Sequence, residues 1–381
     1  MIDETLLDAP EALLRADARG LLRAAAASGA HVRTAARAAE ESPLARLAPE
    51  GRPGTLLLAG PGPAAPLAAD LLSALVQDTV RIARLAPEGP SADPAALGWP
   101  LPRWAGPLDL LLLATADGTE PGLVLLLENA FRRGLSVATV APEGSPLAEA
   151  TARRRNLVLP HAPAPFHEPP AHPAAPGPAW ALVTPLLLLG GRLGLFPAGA
   201  EDVEALAARL DAAAERCGPS TRTHDNPAKG LAAHLAADLP LLWSTGGVAW
   251  AAARHAATTL TALAGRPALA AALPTAPAEH AALLGGSLTP AGDPDDFFRD
   301  RVDEPVPLRA RVVLLRDPGP EDAPPGAAPH PADLARDQAL AQGAAVHELD
   351  AGGDGTPLVT AAGLLAQLDF TAVYLALATT P

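Results

Sequence analysis

The stretch DLLLLATADGTEPGLVLLLENAFRRG, from Asp109 to Gly134, decides the fold of this chain. Its apolar start, Asp109 to Ala114, predicts a buried parallel strand, and an amphipathic helix follows the loop 115–120. Free backbone N–H groups and the helix dipole favour an anion in a loop of this kind. The loop nevertheless carries Asp117 and Glu120. The stretch therefore predicts a scaffold for an anion site with carboxylates inside it.

The same alternation of apolar strands and amphipathic helices continues on both sides of this stretch. Thr55 to Ala59 predicts a strand and Ala64 to Val76 a helix, and further strands are predicted at 135–140, 156–159, 239–243, 310–315 and 345–349. Strands and helices that alternate with short loops imply a doubly wound parallel sheet. We therefore predict an α/β fold with two αβα halves, each built on a flavodoxin-like parallel sheet.

Shifts in composition predict the domain boundaries. Residues 1–48 are expected to be an N-terminal helical segment, followed by a first α/β domain at 49–165. A Pro-rich linker with helices is predicted at 166–225. The second α/β domain, with C-terminal helices, is expected at 226–381.

Composition excludes several classes of function. The chain has 381 residues and a formal net charge of −14, which opposes binding to nucleic acid or to an anionic membrane. Its one cysteine, Cys217, excludes an internal disulfide and fits a reducing compartment. The start is acidic and amphipathic, unlike a secretory signal, and the apolar segment 180–196 is too short to span a bilayer. A soluble cytoplasmic protein is the expectation.

Two clusters raise the question of a metal site. The Pro-rich segment 160–178 contains His161, His167, Glu168 and His172, but their spacing matches no metal-ligand pattern. The acidic residues at 293–296 precede an apolar pair, and a helix N-cap explains them without a cation. We therefore expect neither a metal nor a cofactor.

Several motifs, in this order, resemble the bifunctional phosphoglucose/phosphomannose isomerase family, which is built from two sugar isomerase (SIS) domains. They are GPGPAA within 60–65, ATADGTEPG at 114–122, SPLAEA at 145–150, NPAK at 226–229, WSTGG at 243–247 and LDFTAVYLALA at 368–378. The resemblance implies aldose–ketose isomerisation of hexose 6-phosphates, glucose or mannose to fructose 6-phosphate. Such a reaction needs a carboxylate base at C2, a group that opens the ring and stabilisation of an enediolate.

The resemblance also implies a set of substrate-binding residues. It assigns the loops of the first domain and the only lysine of the chain to this role: Gly60, Gly62, Thr115, Asp117, Gly118, Thr119, Glu120 and Lys229. Thr115, Asp117 and Glu120 stand where the family has Ser, Ser and Thr. A carboxylate and a phosphate side by side repel each other by several kcal/mol at low effective dielectric, unless the carboxylate is protonated or a cation bridges the two.

The catalytic residues implied by the resemblance are His280, for ring opening, and Glu279, as a substitute base. The family motif Glu-Asn-Ala-Lys falls on 262–265, where the carboxylate and lysine are both missing, and the late lysine of the family has no equivalent. Glu279 is also explained as an exposed residue at a helix start. Lys229 is also explained by structural capping or a surface position.

Two hypotheses therefore stand. The first is a divergent isomerase that binds a sugar or sugar phosphate between its two halves, in a homodimer. The second is a catalytically inactive double-SIS protein that senses a sugar ligand or acts as a scaffold. Trp243 and Trp250, which flank the second Gly-rich loop, either stack on a sugar or pack in the core, and core packing is the expected role.

Overall fold

The computed structural model describes residues 4–49, 51–76, 80–164, 172–285, 308–317, 330–349 and 355–379. Contacts within the chain group it into two compact units. The N-terminal unit comprises Arg19–Glu215 and Thr356–Ala362, and the C-terminal unit comprises Met1–Ala18, Arg216–Gly355 and Gly363–Pro381. Division of the chain into separable domains at residues 48, 165 and 225 stays a prediction.

The N-terminal unit is built on a parallel sheet of five strands. They are β1 Thr55–Ala59, β2 Arg81–Arg84, β3 Leu110–Ala114, β4 Ser136–Ala141 and β5 Leu157–Pro160, in the order β2-β1-β3-β4-β5. Leu57 pairs with Leu111 and Leu112 with Ala138, so the register joins apolar residues across neighbouring strands. The central strands are buried along most of their length because helices cover both faces of a parallel sheet.

The helices of this unit fill the predicted positions. They are α3 Leu21–Ala26, α4 Ser28–Glu41, α5 Ala64–Val76, α6 Pro121–Arg132, α7 Pro146–Arg153, α8 Ala179–Arg192 and α9 Ala200–Arg216. In α6, Leu123, Leu126, Leu127 and Ala130 form the buried face at helical spacing. Gly134 follows this helix in the left-handed conformation (φ 76°), which favours glycine after a helix end.

The C-terminal unit repeats the plan with a parallel sheet whose described strands have the order β7-β6-β8-β9. These strands are β6 Asp238–Ser244, β7 Leu269–Ala272, β8 Arg309–Leu315 and β9 Ala345–Leu349. Its helices are α1 Glu4–Leu7, α2 Pro10–Ala16, α10 Pro227–Leu235, α11 Gly246–Ala264, α12 Ala276–Glu279, α13 Ala281–Gly285 and α14 Pro331–Ala341. The last helix, α15 Pro357–Ala378, begins among the N-terminal unit's residues and continues in this unit.

These two sheets confirm the predicted α/β fold class, with one difference from the predicted strands. The strands β2 and β7 were not predicted, and each is a short edge strand next to the first strand of its sheet. Strand β2 is RIAR, with exposed arginines at both ends, and β7 is LAAA, with only one buried residue. Strand β2 has no apolar run, and β7, although apolar, has only four residues, which are too few to predict a strand.

Among the described residues, one helix is long and apolar enough to cross a membrane by length and composition. It is α15, and 94% of its most apolar window is buried inside the protein. Burial on all sides is what a core helix of a folded unit shows. The apolar segment 180–196, which was judged too short to span a bilayer, forms α8 and the turn that follows it.

Candidate functional site

The carboxyl ends of β1 and β3 define the candidate site of the N-terminal unit. The strand order β2-β1-β3-β4-β5 reverses between these two parallel strands, because the sheet is extended to one side from β1 and to the other side from β3. Ligands of open α/β sheets bind at such a topological switch point. Gly60, after β1, approaches β3 so closely that a Cβ would lie 2.1 Å from the Ala114 carbonyl oxygen. Gly62 adopts a left-handed conformation (φ 70°) with open space around it. Both predicted glycines therefore have a structural reason to be there.

The hydroxyl of Thr115 organises the loop after β3. It accepts hydrogen bonds from the backbone N–H groups of Asp117 and Gly118, both at 3.1 Å. The same hydroxyl donates to Glu120 Oε1 at 2.5 Å. Thr115 is fully buried, whereas Asp117 and Thr119 are exposed. Two backbone donors of the candidate anion loop are thus used within the loop itself.

Glu120 combines burial with an unfilled hydrogen-bonding position. The residue is only 3% exposed, and its Oε2 has no hydrogen-bond partner among the described residues. It is the N-cap residue of α6, but its side chain makes no capping hydrogen bond. The carboxylate is therefore folded back onto Thr115 and leaves one acceptor free.

Gly118 completes the loop at its contact with the next helix. It is left-handed (φ 77°), and a Cβ here would lie 2.4 Å from Ser145 Oγ. Its carbonyl accepts from the N–H of Leu147, while Ser145 Oγ accepts from Ala148 N–H as the N-cap of α7. This geometry places Ser145 at the start of α7. It also explains why no larger residue fits at position 118.

The C-terminal unit has an equivalent loop between β6 and α11, and a carboxylate that sequence reasoning missed occupies it. Asp317, after β8, accepts from the backbone N–H of Ala249 at 2.7 Å and from that of Val248 at 3.3 Å. A Cβ on Gly246 would lie 2.0 Å from Asp317 Oδ2. Burial raises the pKa of Asp317 above its ordinary value, and the two N–H donors oppose this. The N-terminus of α11 is thus capped by the chain's own carboxylate.

One signal in the sequence could have located Asp317. Asp317 lies two residues after the predicted strand 310–315, and the loop 244–247 follows the predicted strand 239–243. Parallel neighbouring strands bring their carboxyl ends to the same edge of a sheet. The strands β6 and β8 are indeed paired, Ser244 with Leu315, so Asp317 faces the start of α11.

His280 lies in a buried setting beside Trp243. The Trp243 indole N–H donates to His280 Nδ1 at 2.9 Å, and the residues are 0% and 7% exposed, respectively. Burial lowers the pKa of His280 below its ordinary value, and the charge of Glu279 opposes this shift. A neutral ring with Nδ1 as acceptor carries its proton on Nε2. His280 is therefore a neutral partner of a core tryptophan, and Trp243 has the core position expected of it.

Glu279 is adjacent to His280 in sequence but points to a different partner. It is exposed, and its Oε1 accepts from the Thr275 hydroxyl at 2.6 Å across one turn of α12. The alternative expectation was an exposed residue at a helix start; Glu279 is exposed, but it is the last residue of the single-turn helix α12. Trp250, on α11, is half-buried, with the Arg254 guanidinium 5.7 Å from its ring centre.

Lys229 is buried, which corrects the expectation of a surface position. The residue is 1% exposed, and its Nζ donates to the carbonyl oxygens of Pro219 at 2.8 Å and Thr221 at 2.7 Å. The ammonium also lies 5.5 Å from the ring centre of Tyr374. Burial lowers the pKa of Lys229, opposed by the charge of Asp8. The lysine ties the segment 219–221 to the start of α10.

The remaining candidates contribute no metal cluster that the structure describes. No group of three or more His, Cys, Asp or Glu with metal-binding geometry lies among the described residues. The predicted positions His167, Glu168 and 293–296 fall outside those residues. A cavity of about 640 Å³ lies beside the ends of β4 and β5, lined by His161 among others, and none of the predicted site residues lines it.

Comparison with known proteins shows similarity to one protein family and to several solved structures. Residues 224–380 match the family described as bacterial phospho-glucose isomerase C-terminal SIS domain. A comparison with curated protein sequences finds no match. Among solved structures, the chain is similar to a putative phosphosugar isomerase from Silicibacter pomeroyi, with 17% identity, a TM-score of 0.57, and coverage of 93% of this chain and 97% of that one.

Two further structures show the same fold similarity. A putative phosphosugar isomerase from Clostridium difficile is 10% identical with a TM-score of 0.59, and the match covers 93% of this chain and 92% of that one. Tagatose-6-phosphate ketose/aldose isomerase from Escherichia coli is 15% identical with a TM-score of 0.53, covering 94% and 91%. Identities at this level establish the shared fold and leave the chemistry to the residues of this chain.

Proposed function

We propose that this chain binds a sugar ligand without isomerising it. Its residues 224–380 match the family described as bacterial phospho-glucose isomerase C-terminal SIS domain. The observation that carries this proposal is that each of the two candidate catalytic groups is hydrogen-bonded to another residue of the chain. His280 Nδ1 is engaged by Trp243, while the carboxylate of Glu279 is exposed and bound to the Thr275 hydroxyl. Aldose–ketose isomerisation needs a carboxylate positioned on the C2 proton.

The other groups that the reaction would require are also engaged elsewhere. The ammonium of Lys229 is buried and bound to two backbone carbonyls, so it is a poor candidate for stabilising an enediolate. In the loop 115–120, the Thr115 hydroxyl is bound to Glu120 instead of being directed at a phosphate. Each of these contacts occupies a group that the isomerase reaction would need, without any change to the fold.

Isomerisation of hexose 6-phosphates is the second candidate function. The family match of residues 224–380 favours it, as does a histidine at position 280. In that case His280 would open the ring and Glu279 would take the C2 proton. The predicted homodimer and the predicted cytoplasmic location apply to both candidates, and both stay predictions; sedimentation velocity at working concentration tests the first of them.

A turnover assay separates the two candidates. The purified chain is offered glucose 6-phosphate, mannose 6-phosphate and fructose 6-phosphate, with the His280→Ala variant as control. Binding without catalysis predicts no turnover above the protein-free background for any of the three sugars. Turnover that disappears in His280→Ala would overturn this proposal and establish the isomerase.

A further inference from the structure

A second cavity of the N-terminal unit lies beside the edge strand β2, at the opposite end of β1 from Gly60. It has a volume of about 530 Å³, and its lining includes Thr55, Arg81 and Trp104. Thr55 is the first residue of β1, and at about 3.3 Å per residue the strand puts roughly 16 Å between Thr55 and Gly60. The cavity is therefore separate from the loops that the family resemblance assigns to the substrate.

Trp104 gives this cavity an accessible aromatic surface. The residue is 60% exposed, whereas Leu101 and Ala105 on either side of it are buried. The backbone N–H of Ala105 donates to the carbonyl of Pro102 at 3.1 Å and closes a turn around the tryptophan. Tryptophan is largely buried in most proteins, and binding to a ring that is already fixed in place costs little conformational entropy. The cavity thus offers a preformed surface for a flat ring.

Arg81 places a permanent positive charge in the same cavity. It is exposed at the first position of β2, and none of the described residues that line the cavity is acidic. A guanidinium binds a carboxylate or a phosphate through two parallel N–H donors. Arg84, at the other end of β2, is also exposed but does not line the cavity. Arginines on an edge strand deter pairing with another strand, and only Arg81 adds to this a place beside an aromatic ring.

We propose that this cavity binds a small molecule with a flat ring and one anionic group, a carboxylate or a phosphate, with the ring against Trp104 and the anion at Arg81. Its volume lies within the range of roughly 300–1,000 Å³ that is typical of small-molecule sites. Val76 and Ile82 add apolar surface to the lining. The net charge of −14 opposes a polyanion, which favours a single small anion over a nucleic acid. This site is additional to the proposed sugar site and does not depend on it.

The exposure of both residues allows substitutions that leave the core unchanged. Trp104→Ala removes the ring, and Arg81→Gln removes the charge but keeps a polar side chain. Arg84→Gln is the matched control, because it removes the same charge from the other end of the same strand, outside the cavity.

The experiment is isothermal titration calorimetry of the full chain with adenosine 5′-monophosphate, adenosine and indole-3-acetate. The first two share a ring and differ in the anion, and indole-3-acetate carries a carboxylate on a different flat ring. We expect adenosine 5′-monophosphate or indole-3-acetate to bind the wild-type protein at least about tenfold more tightly than adenosine. The tighter of the two anions shows whether the site takes a phosphate or a carboxylate.

The variants assign the binding to the cavity. The affinity for the tighter anion should fall at least about tenfold in Trp104→Ala, as it does when a base loses an aromatic side chain on which it stacks. It should fall at least about tenfold in Arg81→Gln as well, and less than about twofold in Arg84→Gln. Circular dichroism verifies that each variant is folded.

Three results would overturn the assignment. One is the absence of binding by both anions at millimolar concentration, and another is adenosine binding as tightly as its monophosphate. The third is an affinity that Trp104→Ala leaves unchanged, or that Arg84→Gln lowers as much as Arg81→Gln, because the ligand would then bind elsewhere or respond only to surface charge. Sugar turnover is measured without these ligands, so a failure here is distinguishable from a failure of the non-catalytic function.

Discussion

Replacing Lys229, the only lysine of the chain, by methionine is expected to destabilise the C-terminal unit. Methionine retains most of the apolar length of the side chain and removes the ammonium. The carbonyl oxygens of Pro219 and Thr221 then lose a charged donor inside the protein. The ammonium also leaves the face of Tyr374, which is itself buried and donates its hydroxyl to the Cys217 carbonyl.

The contacts of the ammonium set the size of the loss. Each hydrogen bond to a charged group contributes about 1.5–3 kcal/mol, and a desolvated cation over an aromatic ring adds up to about 2 kcal/mol. Against this, methionine avoids the penalty for burying a charge, which amounts to roughly several kcal/mol. We therefore expect a net loss of about 2–4 kcal/mol in the free energy of unfolding.

Urea unfolding at neutral pH, followed by circular dichroism, measures this loss. Arg153→Met is the matched control, since the Arg153 side chain is 68% exposed and pairs with Glu149 one turn away. It should cost less than about 0.5 kcal/mol. Acylation of the amine, detected by mass spectrometry, adds a direct readout: Lys229 should be modified only when the protein unfolds. A loss below about 0.5 kcal/mol in Lys229→Met, or rapid acylation of the native protein, would refute the structural role of this lysine.

Three further predictions concern the two Gly-rich loops and the buried histidine. Gly60→Ala should lower the free energy of unfolding by about 2 kcal/mol or more, because its Cβ would lie 2.1 Å from a backbone carbonyl oxygen. Gly62→Ala, in open space at φ 70°, should lower it by only about 1 kcal/mol. Equal losses of stability in thermal unfolding would contradict the close approach at Gly60. Burial raises the pKa of Asp317 in the folded state, so the wild-type protein should gain stability relative to Asp317→Asn as the pH falls through this raised pKa towards 3.8, the ordinary value; a stability difference that does not depend on pH would contradict this sign. His280→Ala leaves the Trp243 indole N–H without its acceptor and should lower the free energy of unfolding by about 2–4 kcal/mol. A double-mutant cycle with Trp243→Phe should show a coupling energy of about 1 kcal/mol. Additive losses of stability would mean that the hydrogen bond contributes nothing.

Apolar patterning was sufficient to predict the central strands and most helices. Residues 55–59 and 345–349 were predicted as strands and form β1 and β9 with those bounds. The helix predicted at 64–76 is α5. Long apolar runs are reliable because the two faces of a parallel sheet must both be covered. The edge strands β2 and β7 were not predicted because each has only four residues and is partly exposed, so neither is long enough to show the pattern of a strand.

The candidate site was predictable only as far as the backbone determines it. The strand–loop–helix frame of 109–134 and the roles of Gly60 and Gly118 follow from local patterns. The hydrogen bond between Thr115 and Glu120 does not, since sequence does not show whether a carboxylate turns towards a ligand, a helix end or its own loop. Likewise, local sequence does not show that Lys229 is buried, since one of its contacts is Tyr374 on α15, more than a hundred residues later.

The measurement that tests the central claim most directly is hydrogen exchange at C2 of glucose 6-phosphate in deuterium oxide, followed by proton NMR with the purified full chain. Proton abstraction at C2 is the chemical step that every aldose–ketose isomerase with a carboxylate base must perform, and exchange reveals it even without net conversion of the sugar. Because Trp243 is bound to His280 and Thr275 to Glu279, we predict no deuterium incorporation above the protein-free rate. Incorporation that depends on protein and is lost in His280→Ala would contradict the account.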